Sequence, residues 1–208
     1  MNRRDAMRVL ACAAAMVLAR ESVAEAQSDP TAPVRAFYDA LLGVMKRAKT
    51  LGVRGRYDAL APVIRKAFDL PAMTRIAVGP RWTSIPADQQ SALIDAFSRM
   101  TIATYANRFD GYSGERFEVE TNVDARGSGS VVHTRIVQPK GEPVTINYLM
   151  RKSGGDWKIV DVYLTGTISE LATRRSEFGS ILDTGGPKAL IGSLTQQADR
   201  LLQPAPSS

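Results

Sequence analysis

Cysteine and histidine are almost absent from this chain of 208 residues: each occurs once, as Cys12 and His133. A lone cysteine closes no intrachain disulfide, so the fold must rest on its core. A lone histidine leaves a Ser-His-acid triad with only one candidate base, and a zinc site would have to lean on carboxylates. No Gly-x-Ser-x-Gly nucleophile elbow occurs. Long apolar runs are scarce as well. The longest, residues 9–19, falls short of the roughly 20 residues that cross a bilayer. No patch of basic residues is interleaved with aromatics, although the formal charge is +6. Scattered charge of this kind argues against nucleic acid and is compatible with an anionic lipid surface or an acidic partner.

The first residues form a pattern of their own. Arg3, Arg4 and Arg8 precede the apolar run, and Ala24-Glu25-Ala26 then places small residues where a signal peptidase reads. Residues 1–26 are therefore expected to be a cleavable export signal, and Cys12 would leave with it. Residues 27–202 then form one domain, with 203–208 a frayed tail. The 44% hydrophobic content suits an ordinary globular core.

Downstream, the periodicity is first helical. Val34, Phe37, Tyr38, Leu41, Leu42 and Met45 recur at steps of three and four, behind Pro33 in a first turn. Gly52 and Gly55 break that pattern, and a second helix is expected from Tyr57 to Phe68. Asp69 reads as an N-cap for a short helix with Pro71 in its first turn and Gly79 at its end. A long helix follows, capped by Ser84, with Pro86 in its first turn and Leu93, Phe97, Met100 and Tyr105 on its apolar face. The period then drops to two in four segments, around Phe117–Val123, Val132–Ile136, Val144–Met150 and Trp157–Leu164. The links at 126–129, 139–141 and 153–156 are Gly-containing and short, which permits only antiparallel neighbours. In the last segment Ile159, Asp161 and Tyr163 should share one side, and Val160, Val162 and Leu164 the other. Helix resumes at a capping box, Thr167-Ile168-Ser169-Glu170, with Ile168, Leu171, Phe178, Ile181 and Leu182 facing inward. Gly185-Gly186 ends it and Pro187 starts another helix, carrying Leu190, Ile191, Leu194 and Leu201. Helices, then four strands in a meander, then helices give an α+β fold in a single domain.

Candidate chemistry is thin. His133 sits within a strand and reads as a residue facing solvent or a neighbouring side chain. Arg126-Gly127-Ser128-Gly129 contains Gly-x-Gly but is followed by no third glycine and no helix start, so it reads as a hairpin turn. Asp161 lies mid-strand among apolar residues. Either it accepts backbone and hydroxyl bonds, or it is a buried general acid of an exported enzyme. The first reading is preferred, because no second acid at a fixed spacing completes a dyad. Arg174-Arg175 reads as a solvated helical face or as a contact for lipid phosphate.

Several motifs, taken in order, resemble one family. They are Val78-Gly79-Pro80-Arg81-Trp82, Tyr105-Ala106, Tyr112-Ser113-Gly114, Tyr148, Trp157-Lys158-Ile159-Val160-Asp161-Val162, Gly166, Arg175-Ser176-Glu177-Phe178, Gly185-Gly186 and Leu190-Ile191. In these the chain resembles the MlaC or toluene-tolerance family of periplasmic lipid-binding proteins. The stretch from Gly166 to Phe178 is also similar to the hopanoid-associated HpnM branch. The resemblance implies a soluble, non-enzymatic carrier without a cofactor, with an apolar cavity between sheet and helices. It implies phospholipid or hopanoid as ligand, and an inner-membrane lipid transporter and an outer-membrane lipid complex as partners, with only peripheral membrane contact. Inward faces of the expected helices and strands nominate Met73, Leu93, Phe97, Met100, Tyr105, Tyr148, Val162, Leu164, Phe178, Ile181 and Leu190 as ligand-binding residues.

Overall fold

The computed structural model describes residues 29–203, so the expected export signal and residues 204–208 of the tail lie outside the described residues. The apolar stripe behind Pro33 forms helix α1, Ala32–Met45, with Val34, Phe37, Tyr38 and Leu41 buried. Helix α2 spans Ala48–Ala67 as two segments that meet at Gly52, and the longer second segment starts before Tyr57. Gly52 does break the helical geometry, at φ 62°, but Gly55 stays helical and a Cβ there would meet only the Leu51 side chain. Buried Arg56 ties α2 down by donating to the carbonyls of Ala106, at 2.7 Å, and Ala48, at 3.1 Å. Helix α3, Leu70–Val78, is capped as expected, with Asp69 Oδ1 accepting from the Ala72 amide at 3.0 Å. A 3-10 turn, Gly79–Ser84, leads to helix α4, Ala87–Arg108. Ser84 does not cap α4. Its hydroxyl donates to the Arg81 carbonyl inside the 3-10 turn, and Pro86 occupies the cap position. At 1.5 Å per residue α4 is about 33 Å long, and it packs against α2, α3 and the C-terminal helix.

The meander is present with one addition. Strands β1 (Arg116–Arg126), β2 (Gly129–Val137), β3 (Val144–Ser153), β4 (Asp156–Leu164) and β5 (Ile168–Ser169) lie in chain order in one antiparallel sheet. The chain reverses after β4 through Thr165 and Gly166, both at positive φ, and pairs Ile168 with Leu164. Ile168 is consequently 57% exposed and does not face inward, and the capping box does not form on Thr167. The N-cap is instead Ser169, whose Oγ accepts from the Ala172 amide. Helix α5 then runs Glu170–Leu201 and kinks at Gly186, φ 68°, ahead of Pro187. Gly185-Gly186-Pro187 therefore separates two helical segments of α5, as the sequence predicts.

A bulge alters which side chains share a face. Leu149 pairs with Asp161 and Met150 with Ile159, leaving Val160 without a partner in the register. Strict alternation fails there. Ile159 and Val162 both join the main core between sheet and helices, whereas Val160 and Tyr163 join Val131 and Leu149 in a smaller cluster, with Ala72 of α3 packed on it. Strand β4 is thus covered on both sides, as its composition predicts. The α2–α3 junction is held to the same strand, the Asp69 amide donating to the Ile159 carbonyl at 2.9 Å.

Candidate functional site

Where α3, α4, the start of α5 and the concave side of the sheet converge, the core does not close. A cavity of about 110 Å³ remains. Phe68 and Met73 wall it from the α2–α3 junction and α3, and Phe97, Thr101, Thr104, Tyr105 and Arg108 from α4, with Phe109 just past its end. Ile146, Tyr148, Val162 and Leu164 line it from the sheet, and Glu170, Leu171 and Arg174 from α5. The α4 positions recur at three- and four-residue steps, so one helical stripe supplies apolar walls and, at Thr101 and Arg108, polar groups.

Aromatic rings make one side rigid. Phe37 meets Phe68 edge-on, with centroids 5.2 Å apart, and meets Tyr105 edge-on at 5.3 Å, while Tyr105 stacks on Phe109 at 5.9 Å. Such pairs add about 0.5–1.5 kcal/mol each beyond the area they bury. Three tyrosine hydroxyls lie behind these walls. Thr134 donates its proton to the Ile146 carbonyl, so the Tyr38 hydroxyl is the donor in its 2.6 Å bond to Thr134 Oγ1. Burial pushes Tyr38 up to about 12 and raises Tyr105 and Tyr148 well above the ordinary tyrosine value, with the nearby Tyr38 adding to the rise in both. All three are therefore neutral hydroxyls at ordinary pH.

Of the residues nominated from the sequence, the structure brings Met73, Phe97, Tyr105, Tyr148, Val162 and Leu164 together around the cavity. Leu93, Met100, Phe178 and Leu190 lie in the packed core away from it, and Ile181 is half-buried beside that core. The α5 kink carries Leu190 past the cavity, and Leu93 stands one turn before Phe97. The ligand-binding nominations followed apolar residues only. They missed Thr101, Thr104, Arg108 and Glu170 of the polar rim, although the α4 members share the Phe97–Tyr105 stripe, and Arg174 entered only as one of two readings of Arg174-Arg175.

The polar candidates resolve into structural contacts. Asp161 Oδ1 accepts from the amides of Val162, at 2.8 Å, and Leu171, at 3.3 Å, and Oδ2 accepts from the Ser169 hydroxyl at 2.6 Å. The carboxylate thereby fastens the first turn of α5 to β4, where a negative charge also suits the positive end of the helix dipole. His133 Nε2 lies 2.8 Å from Asp124 Oδ2 on the outer face of the sheet. The 126–129 segment is the β1–β2 turn. Neither Arg174 nor Arg175 belongs to a merely solvated face. Arg175 donates twice to the Ile76 carbonyl, at 3.0 and 2.8 Å, clasping α5 to the end of α3. Arg174 lines the cavity and stands 3.8 Å from Glu170. Among the described residues no cluster of three or more His, Cys, Asp or Glu is placed to hold a metal. No helix among them is long and apolar enough to cross a membrane.

A family model described as MlaC protein matches residues 35–196. Among solved structures, the chain is similar to the phospholipid-binding protein from Ralstonia solanacearum determined in complex with a phospholipid. The two are 23% identical, with a TM-score of 0.74, and the match covers 84% of this chain and 99% of that one. At that identity the likeness is one of fold. No curated protein sequence matches the chain.

Proposed function

Because the chain belongs to the MlaC protein family, we propose that it is a soluble periplasmic carrier that takes lipid tails into this cavity and moves phospholipid between the inner and outer membranes. The observation that carries the reading is a largely apolar chamber, walled by helices on one side and a sheet on the other, in a chain of this family. Each methylene removed from water contributes about 0.8 kcal/mol, so a diacyl lipid crosses an aqueous gap only inside a sheath. A carrier must also release its cargo, which favours apolar contact over fixed ion pairs. An inner-membrane transporter and an outer-membrane complex are the partners that such a shuttle requires. A hopanoid is the second candidate cargo.

About 110 Å³ is small beside the roughly 300–1,000 Å³ of small-molecule pockets. Tails therefore enter by parting the walls. The first half of α5 is the movable wall, lying between Gly166 at φ 81° and Gly186 at φ 68°. Two exposed contacts clasp it to the α3 end: Arg175 on the Ile76 carbonyl, and Arg81 on Asp183 at 2.7 Å. Surface ion pairs contribute only about 0–1 kcal/mol, which suits a wall that opens.

The test is transfer of labelled phospholipid from donor to acceptor vesicles by substoichiometric protein. The expected result is transfer that scales with protein concentration. Transfer no faster than the protein-free blank would overturn the proposal.

A further inference from the structure

Two arginines at the rim of the cavity are left without adequate partners. Arg108 lines the cavity near the end of α4, is exposed, and forms no ion pair among the described residues. Arg174 lines it from α5 with its side chain only 17% exposed, and its sole ionic partner there, Glu170, is 3.8 Å away, beyond hydrogen-bond reach. A guanidinium carries five N–H donors, and those of Arg108 and Arg174 are open to solvent rather than spent on protein acceptors among the described residues. The other arginines of this region are committed. Arg175 holds the Ile76 carbonyl, and Arg81 holds Asp183 through both carboxylate oxygens. Thr101, on the same wall as Arg108, adds a hydroxyl that makes no hydrogen bond among the described residues. The only acid in the lining is Glu170, so the rim carries a net positive charge beside an otherwise apolar chamber.

Resting on the carrier reading, we propose that Arg108 and Arg174, with Thr101, form a phosphate site at the cavity rim that selects lipids with a phosphate headgroup over neutral lipids with the same tails. Guanidinium forks match phosphate oxygens in shape and charge. A phosphate at the rim takes up donors that the protein leaves open, while the tails occupy the chamber behind it. Arriving anion also draws Arg174 off Glu170, a pairing too long to compete with a charge-assisted bond of about 2.8 Å. A hopanoid without phosphate gains nothing from this rim.

The experiment offers the protein vesicles containing dioleoylphosphatidylglycerol and dioleoylglycerol in equal amounts, and measures both lipids bound by mass spectrometry. The parent should enrich the phospholipid at least about tenfold, the factor that one charge-assisted hydrogen bond supplies. Arg108→Gln/Arg174→Gln should bring the ratio close to unity, and Arg108→Lys/Arg174→Lys should restore part of it, with thermal melts confirming that both variants are folded. Equal loading of the two lipids by the parent overturns the proposal. Enrichment that survives in the folded Gln variant overturns it too. If neither lipid loads, the carrier reading fails, and inorganic phosphate decides the site separately. Saturable phosphate binding that is lost in the Gln variant upholds it, and absence of binding ends it.

Discussion

Replacing Asp161 separates a structural carboxylate from a catalytic one. The side chain is 8% exposed and holds the start of α5 through the Leu171 amide and the Ser169 hydroxyl. In Asp161→Asn the remaining oxygen can still serve the amides of Val162 and Leu171, and the new NH2 group then faces Ser169. Ser169 Oγ already accepts from the Ala172 amide at 3.0 Å, and its own proton loses its acceptor. A bond to a charged group, about 1.5–3 kcal/mol, is exchanged for a neutral one of about 0.5–1.5 kcal/mol. Loss of a negative charge at the helix start adds about 0.3–1 kcal/mol. The expected cost is about 2 kcal/mol, or about 4–8 °C in Tm for a domain of this size. Asp161→Ala also strands the Leu171 amide and should cost about 3 kcal/mol or more. Circular dichroism melts and urea titrations read both. Because Leu171 and Arg174 line the cavity from the turn that Asp161 fastens, lipid retention should fall together with stability. An Asn variant that melts with the parent would refute the fastening role. If that same variant lost an enzymatic turnover, the general-acid reading would be restored.

Other perturbations probe the remaining parts. Val162→Phe places a ring in the cavity and should reduce lipid bound per molecule while shifting stability by no more than about 1–3 kcal/mol, measured by extraction and melting. Unchanged loading would remove β4 from the chamber. Alkaline unfolding should be steep. The unfolded chain loses the Tyr38 proton near pH 10 but the folded chain holds it to about 12, so this contribution to stability is fully present below about pH 10 and is lost as pH rises through about 12. Tyr38→Phe should flatten that slope in urea titrations across the alkaline range, at a neutral-pH cost of about 1 kcal/mol for the lost Thr134 bond. Arg175→Ala should speed lipid uptake in stopped-flow loading by loosening α5 from α3. Slower or unchanged uptake would place the opening elsewhere.

Most of the fold was legible from periodicity and punctuation. The α1 stripe, the Asp69 cap, the four longer strands and the breaks at Gly52 and Gly186 all reflect short-range chemistry that the sequence states directly. What escaped depends on distant partners. The bulge at Val160 arises from pairing with β3, and it moves Ile159 to the same face as Val162. Strand β5 is two residues long and exists only because Thr165 and Gly166 reverse the chain, so Ile168 looked like part of a helical face. Arg56 gave no signal, because its acceptors are carbonyls on α4 and at the start of its own helix. The apolar half of the cavity could be picked from inward faces, but its limits could not. Whether Leu93 or Phe97 reaches the chamber depends on where α4 crosses the sheet. Of the charged rim only Arg174 was singled out, as a candidate contact for lipid phosphate, because polar residues on the α4 apolar stripe read as solvated.

The central claim is that the chamber beneath α5 carries lipid, and the cargo of the natively purified protein tests it most directly. Organic extraction followed by mass spectrometry should recover phospholipid in an amount comparable to the protein, and Val162→Phe should recover much less. Repeated extraction of folded parent protein that yields neither phospholipid nor hopanoid would contradict the account.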